Sequence, residues 1–289
     1  MTEYLFLIPV YNDWQSLNLL VKKIDKELGI RSRSGTILVV NDCSTIEQEI
    51  NFKSLENIKK YKLLNLNRNL GSQKSIAVGL KYLESKKLNS VITIMDSDGE
   101  DDPLKINEMI DEAEKNKNFI ITSNRTNRKE NFLFKWLYIV HKFSTFVFSG
   151  HWISFGNFSS FNSKNLSNIL RDNKVWLAYS SAVSKNCKIK RLYAKRKDRY
   201  FGKSKVNFLS LVLHSLRVIS VLQLNVILFS LIYLLIFLSL FLIYDRVYFL
   251  IVFFLIIIFN LKLQIIKAAI NTKNLDSWKN YIKEIKTII

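Results

Sequence analysis

Val91-Ile92-Thr93-Ile94-Met95, followed at once by Asp96-Ser97-Asp98-Gly99-Glu100-Asp101-Asp102, is the stretch on which the reading of this chain turns. The first five residues are apolar or β-branched and predict a buried strand. That strand delivers a tight acidic turn. Alternate carboxylates beyond a strand end can point the same way and share one hard cation. Magnesium or manganese favours such oxygen ligands, completed by the phosphate of a substrate. Asp96, Asp98 and Glu100 are therefore the candidate metal set; the competing reading is a solvated helix start.

Outward from this turn, apolar runs alternate with helical patterns. Leu5–Ile8 predicts a strand stopped by Pro9, and Thr36–Val40, Tyr61–Leu66 and Phe119–Thr122 predict three more. Ser16–Leu28 carries Leu17, Leu20, Val21, Ile24 and Leu28 on one helical face. Ser72–Glu84 and Pro103–Asn116 read as further helices. Strands alternating with helices predict an α/β fold, a mostly parallel sheet with helices on both faces. In such sheets ligands bind outside the C-terminal strand ends. Polar residues fall at those ends: Tyr11-Asn12-Asp13, Asn41-Asp42, Asn67-Arg68-Asn69 and Asp96-Ser97-Asp98. Neither a Walker loop nor a dinucleotide fingerprint is present, so a phosphorylated ligand would be held by metal and basic side chains.

Composition narrows the class. Among 289 residues, 43 basic and 24 acidic side chains leave a net charge of +19, which calls for a polyanionic partner such as nucleic acid, an anionic membrane or a phosphorylated substrate. A 48% hydrophobic content excludes intrinsic disorder. Two cysteines, Cys43 and Cys187, exclude a disulfide scaffold and favour a reducing compartment. His141, His151 and His214 show no metal-ligand spacing.

The apolar residues are unevenly placed. Val218–Tyr244 contains no charge, and after Asp245-Arg246 neither does Val247–Leu261. Crossing a bilayer takes about 20 apolar residues. The second run reaches that length near Ile266 if Lys262 snorkels. Residues 218–266 thus predict a transmembrane helical hairpin, against the alternative of two buried helices in a soluble fold. Both flanks are basic: ten Lys/Arg against Asp198 in Lys185–Lys205, and six Lys against two acids in Lys262–Ile289. Both termini are therefore expected in the cytoplasm. Tyr4–Val10 is too short and lacks the basic leader of a signal peptide.

Residues 1–205 read as a cytoplasmic domain. Residues 206–217 read as an interfacial amphipathic helix, and 267–289 as a basic amphipathic helix lying on the membrane surface, with a solvated helix as its alternative. Phe132–Phe155, rich in aromatic residues but interrupted by Lys135, His141 and Lys142, reads as amphipathic helices grazing the bilayer.

Pro9-Val10-Tyr11-Asn12-Asp13, Val39-Val40-Asn41-Asp42-Cys43-Ser44, Arg68-Asn69-Leu70-Gly71 and Asp96-Ser97-Asp98, in that order and spacing, resemble the family 2 glycosyltransferases with a GT-A fold. Within that family the chain is most similar to the polyprenyl-phosphate sugar synthases, such as dolichol-phosphate mannose synthases and bacterial GtrB-type enzymes, in which a two-helix anchor commonly follows the catalytic domain. The resemblance implies a nucleotide-diphosphate sugar donor, bound by Pro9, Tyr11, Asp13, Val40, Asp42, Asp96, Ser97 and Asp98, with Asp42 reading the base edge. It implies Mg2+ or Mn2+ on Asp98, and Asp96 beside the nucleotide sugar. Glu100 stands where relatives often have Gln, and Asn41 and Cys43 replace the family's first acid and turn glycine.

Arg125 and Arg128 are similar to the family's Arg-x-x-Arg loop, which would neutralise the leaving diphosphate or receive the acceptor phosphate; a solvated basic loop is the plainer alternative. Arg196, Arg199 and Lys205 match an Arg-x-x-Arg-x-x-Gly-x-Ser-Lys signature and would bind the phosphate of a polyprenyl acceptor, undecaprenyl phosphate in a bacterial inner membrane. The plainer alternative is attraction to anionic lipids. Gly156-Asn157-Phe158-Ser159 resembles an acceptor-side segment, or forms only a turn. Inverting single displacement is the implied chemistry.

Four other functions compete. None of the five tryptophans follows an arginine, which argues against processive polysaccharide synthases with their Gln-x-x-Arg-Trp motif. Direct transfer to a glycan or other acceptor such as a protein and a non-catalytic scaffold stay open, as does association into a homo-oligomer. Nucleic acid is disfavoured because the excess charge lies beside the apolar runs.

Overall fold

A computed structural model of the chain describes residues 3–48, 55–126, 132–202 and 208–288. Two compact units emerge. The first comprises Met1–Lys129, Ser154–Lys205 and Lys273–Ile289, and the second Glu130–Ile153 and Val206–Thr272.

In chain order the first unit contains β1 (Glu3–Val10), α1 (Trp14–Ile30), β2 (Gly35–Asn41), β3 (Ile58–Leu66), α2 (Ser72–Ser85), β4 (Ser90–Ile94), α3 (Ile106–Lys115) and β5 (Phe119–Thr126). The second unit contributes α4 (Phe132–Ser149). Then follow β6 (Phe155–Asn162), α5 (Leu166–Leu170), α6 (Tyr179–Asn186) and β7 (Lys188–Lys195) of the first unit. The second unit resumes with α7 (Phe208–Val221), α8 (Gln223–Tyr244) and α9 (Val247–Ala269), and β8 (Ile282–Thr287) closes the first.

Among the described residues the strands make one sheet in the order β7-β5-β6-β4-β1-β2-β3-β8. The pairs β1–β2, β1–β4, β2–β3 and β5–β7 are parallel, whereas β4–β6, β5–β6 and β3–β8 are antiparallel. The mixed, mostly parallel α/β architecture expected from the strand–helix alternation is the observed one. The face predicted for α1 is also observed: Leu17, Leu20, Val21, Ile24 and Leu28 are buried and join Phe6, Ile8, Ile37 and Val39 in one core. Each such side chain contributes about 1.5–3 kcal/mol on leaving water.

Three local expectations are corrected. The first concerns Pro9, which continues β1 instead of stopping it, pairing with Val40 in β2. Pairing to β4 ends earlier, at Leu7 with Ile94. Leu7 O accepts from Met95 N (3.2 Å) on the β4 side and Val10 O from Asp42 N (2.9 Å) on the β2 side. By strand alternation the Pro9 nitrogen faces the β4 side beyond that ladder, where no strand donor is needed.

The tail 267–289 is the second correction. Only its start prolongs α9; two short 3-10 turns and β8 follow. β3 would otherwise present an open backbone edge, and β8 pairs with it from Lys62–Thr287 to Leu66–Ile282. Asn65 Nδ2 donates to Glu284 Oε1 (3.0 Å), and Leu275 and Tyr281 are buried. Helical spacing of Trp278, Tyr281, Ile282 and Ile285 misled because those positions also suit a turn running into a β-branched strand. The catalytic unit therefore needs residues beyond 205.

The third correction is a boundary. The helix is interrupted at Leu222 (φ −94°, ψ 20°), so Val218–Val221 belong to α7 and the first long apolar helix starts at Gln223.

Within the second unit, α4 packs on α8: Tyr233 Oη donates to Val147 O (2.7 Å) and Asn225 Nδ2 to Ser149 O (3.1 Å). The Phe148 ring meets Tyr233 edge-on at 5.8 Å and lies tilted on Phe259 at 4.8 Å. Asn260 Nδ2 on α9 donates to Ser230 Oγ on α8 (2.8 Å), a polar link of the kind that joins helices in lipid. Both α8 and α9 are long and apolar enough to cross a membrane.

Candidate active site

The parallel strands β1, β2 and β4 end side by side, and their exits form the site. β1 leads into Tyr11, which is exposed, and Asn12, whose φ of 53° is left-handed. Asparagine tolerates that region better than most residues. Its side chain pins the loop after β2: Oδ1 accepts from Thr45 N (2.8 Å) and Ile46 N (3.1 Å), while its own N–H donates to Ser44 Oγ (2.9 Å). Asp13 follows at the N-cap of α1.

β2 ends at Asn41, whose Nδ2 donates to Asn65 Oδ1 (2.8 Å) and whose Oδ1 accepts from Ser44 N (2.9 Å). Cys43 sits at φ 57°, the conformation a glycine would adopt without strain. Asp42 is only 3% exposed. Its Oδ1 accepts from Leu70 N (2.7 Å) and its Oδ2 from Gly71 N (2.8 Å). Burial raises its pKa and those two amides oppose the rise. Both oxygens thus clamp the turn that opens α2, a scaffold task that the expected base-reading role did not include.

β4 ends in the acidic turn. Asn157 on β6 donates from Nδ2 to Asp96 Oδ1 (2.9 Å), and Asp96 N donates to Asp101 Oδ2 (3.2 Å). Asp98 Oδ1 accepts from Glu100 N (3.0 Å), tightening the turn around Gly99. That glycine has φ +85°, and a Cβ there would meet the Tyr200 ring at 2.5 Å. The Asp98 carboxyl is pushed up to about 6, by burial first and the Asp96 charge second.

Against this turn lies the segment after β7. Lys197 N donates to Glu100 O and Tyr200 N to Asp98 O, each at 3.0 Å, so backbone pairing holds the two together. Arg199 Nη1 stands 3.3 Å from Asp98 Oδ2 and its Nη2 3.7 Å from Asp13 Oδ2. Arg196 pairs with the Glu100 carboxylate, Nε at 3.0 Å. Lys197 Nζ reaches Asp102 Oδ2 at 3.3 Å.

Of the residues singled out from sequence, Pro9, Tyr11, Asp13, Val40, Asp42, Asp96, Ser97, Asp98, Glu100, Arg196 and Arg199 therefore lie on the strand ends or on the segment packed against them. Arg128, Lys205 and the Arg125 side chain lie outside the described residues. The expected metal set does not close: among the described residues no three His, Cys, Asp or Glu side chains gather as ligands. Glu100 is committed to Arg196 instead. Asp96 and Asp98 still suit a divalent cation, because one tight turn carries both oxygen-donor carboxylates and a cation there would offset the Asp96 charge that helps push the Asp98 carboxyl up. Asn12 was missed as an individual site residue; Asn157 was noticed only as part of a segment. Their only signal is polarity at strand and helix ends.

The model of the family described as Glycosyl transferase family 2 matches residues 6–180. The chain belongs to that family and is a glycosyltransferase with a GT-A fold. No curated protein matches it. Among solved structures, glucosyl-3-phosphoglycerate synthase from Mycobacterium tuberculosis, in complex with Mn2+, uridine diphosphate and phosphoglyceric acid, is 9% identical, with a TM-score of 0.53 and 78% of each chain covered. The same synthase with Mn2+, uridine diphosphate and glucosyl-3-phosphoglycerate gives 10% identity and a TM-score of 0.52, covering 78% of this chain and 80% of that one. S. aureus TarS 1-349 with UDP-GlcNAc is 16% identical at a TM-score of 0.43, covering 78% and 67%.

Proposed function

We propose that this glycosyltransferase moves a sugar from a nucleotide-diphosphate sugar to a polyprenyl phosphate at the cytoplasmic face of a membrane. The observation that carries the reading is the guanidinium of Arg199 lying 3.3 Å from Asp98 and 3.7 Å from Asp13, on a basic segment paired along the acidic turn. That arrangement brings a cation able to receive an acceptor phosphate beside the carboxylates assigned to the donor. Exposed apolar side chains run along α8 and α9, such as Leu235 and Ile265 at 67% each, and favour lipid surroundings, since contiguous exposed apolar surface marks a membrane or partner interface. Trp136, Ile139, Phe143 and Phe146 add an exposed apolar stripe on α4. The basic flanks favour both termini in the cytoplasm, and undecaprenyl phosphate in a bacterial inner membrane is the acceptor assigned.

Asp96 and Asp98 would hold Mg2+ or Mn2+, in keeping with the Mn2+ and uridine diphosphate of the mycobacterial synthase. Such a cation, when bound, supplies positive charge to the diphosphate leaving group. Pro9, Tyr11, Asp13, Val40 and Ser97 line the donor side, and Asp42 shapes it through the turn it clamps. Arg196, Arg199 and Lys205 are assigned to the acceptor phosphate, with Arg125 and Arg128 neutralising the leaving group. A phosphate oxygen of the acceptor bonds to the anomeric carbon as its bond to the diphosphate breaks, inverting that centre. The acceptor is already anionic, so no strong base is required. Catalysis then consists of orientation and charge stabilisation.

The test is incubation of detergent-solubilised protein with Mn2+, polyprenyl phosphate and a panel of nucleotide sugars, with products read by mass. A polyprenyl-phosphate sugar from one donor is expected. Nucleotide and free sugar without glycolipid would move the acceptor to a glycan. Donors left unconsumed but still bound would mark a scaffold.

A further inference from the structure

A chain of hydrogen bonds enters the site from behind Asp96. It begins at Tyr179 N, in the first turn of α6 and therefore without an intrahelical partner of its own. Tyr179 N donates to Gln73 Oε1 (2.8 Å), Gln73 Nε2 donates to Asn157 Oδ1 (3.0 Å), and Asn157 Nδ2 donates to Asp96 Oδ1 (2.9 Å). Asn157 and Tyr179 are buried and Gln73 is half-buried.

The direction of this chain is fixed at its start. A backbone N–H can only donate, so Gln73 must turn its oxygen to Tyr179 and its NH2 onward. Asn157 must then accept from Gln73 and donate to Asp96. Flipping either amide would set donor against donor or oxygen against carboxylate. Both side-chain dipoles hence point their positive ends at Asp96, and aligned hydrogen bonds polarise one another.

We propose that Gln73 and Asn157 are positioning residues that hold the Asp96 carboxylate in one orientation for the donor and its cation. The proposal rests on the reading of Asp96 as a donor-site ligand given above. Neither amide touches the reacting atoms; each acts through the next.

Gln73→Glu separates this role from packing. The new carboxylate has the same length and still accepts from Tyr179 N–H, so the cap on α6 survives. It offers no donor to Asn157, which must turn its NH2 back and its oxygen toward Asp96. In detergent-solubilised full-length protein, Mn2+ binding read by electron paramagnetic resonance in the presence of uridine diphosphate is expected to weaken about tenfold or more. The KM for nucleotide sugar should rise with it, while the unfolding temperature falls by no more than a few degrees, the cost of turning Asn157 against Asp96. Asn157→Ala should weaken Mn2+ binding comparably, and the double variant no further than Asn157→Ala alone, because the reversed dipole then has nothing to act through.

Wild-type Mn2+ affinity in Gln73→Glu, a loss confined to unfolding temperature, or additive losses in the double variant would each overturn the relay. Wild-type protein that binds neither Mn2+ nor uridine diphosphate would overturn the donor-site reading beneath it.

Discussion

At the residue scale the acidic turn combines two demands that compete in water-poor surroundings. Asp98 must be ionised to hold a cation, yet burial and Asp96 push its carboxyl up to about 6 from an ordinary 3.8. The folded state therefore binds this proton more tightly than the unfolded chain. Folding stability from this group declines as pH rises from 3.8 to about 6, and is lowest above that range. A cation competes with the proton, so Mn2+ affinity should fall by up to tenfold per pH unit below about 6; titrating Mn2+ at several pH values checks this. Asp98→Asn should fold and lose nearly all metal-dependent turnover, and full activity would remove Asp98 from the site. Gly99→Ala combines a left-handed φ with a Cβ placed 2.5 Å from the Tyr200 ring. It should cost roughly 1–2 kcal/mol in stability and displace Arg199 along with Tyr200. A turnover loss larger than the stability loss, compared by denaturation and steady-state rates, is the expected result.

At the element scale the sheet is completed by a strand from the far end of the chain. β8 covers the β3 edge, and Tyr281, at the end of the turn before it, inserts beside Trp176 with ring centroids 5.3 Å apart. The Arg68 guanidinium lies 5.0 Å from the Tyr281 ring. Tyr281→Ala should destabilise the catalytic unit by about 3 kcal/mol, read by chemical denaturation. Truncation after Lys205 leaves β3 with an open edge and should give aggregating material, whereas a version that keeps residues 273–289 joined to the unit should not. The helix α1 was legible in advance because its apolar spacing is unambiguous and its face enters the core. β8 was not, because six residues with Ile, Glu and Lys fit either a short strand or a charged helix, and its partner lies more than two hundred residues away.

At the scale of the whole molecule the chain interleaves two units, a GT-A catalytic unit and a helical one with two helices of membrane-spanning length. Under the proposed membrane placement, Leu235→Arg puts a charge near the middle of α8 and should cost about 2.5–3.5 kcal/mol of membrane insertion. Its expected signature is a shift of protein out of the carbonate-resistant membrane fraction. Under the proposed function, Arg199→Ala should raise the requirement for polyprenyl phosphate more than that for nucleotide sugar. An unchanged lipid requirement would reduce the basic segment to an electrostatic attachment.

Patterns repeated within a few residues were decided by the sequence alone. The strand–helix alternation, the α1 face, the acidic turn after β4, the two apolar runs and the family motifs are all local in the chain, and local periodicity reflects burial directly. Only the tertiary structure decided which groups meet. Glu100 was grouped with Asp96 and Asp98 by spacing, but folding gives it to Arg196, ninety-six residues on. Asp42, expected at a ligand, became the clamp on Leu70 and Gly71, since a buried carboxylate takes the nearest amide donors. The polarity of the Gln73–Asn157 chain was set by a single backbone N–H at Tyr179. Hydrogen-bond direction depends on what faces each group across the fold, and no spacing along the chain encodes that.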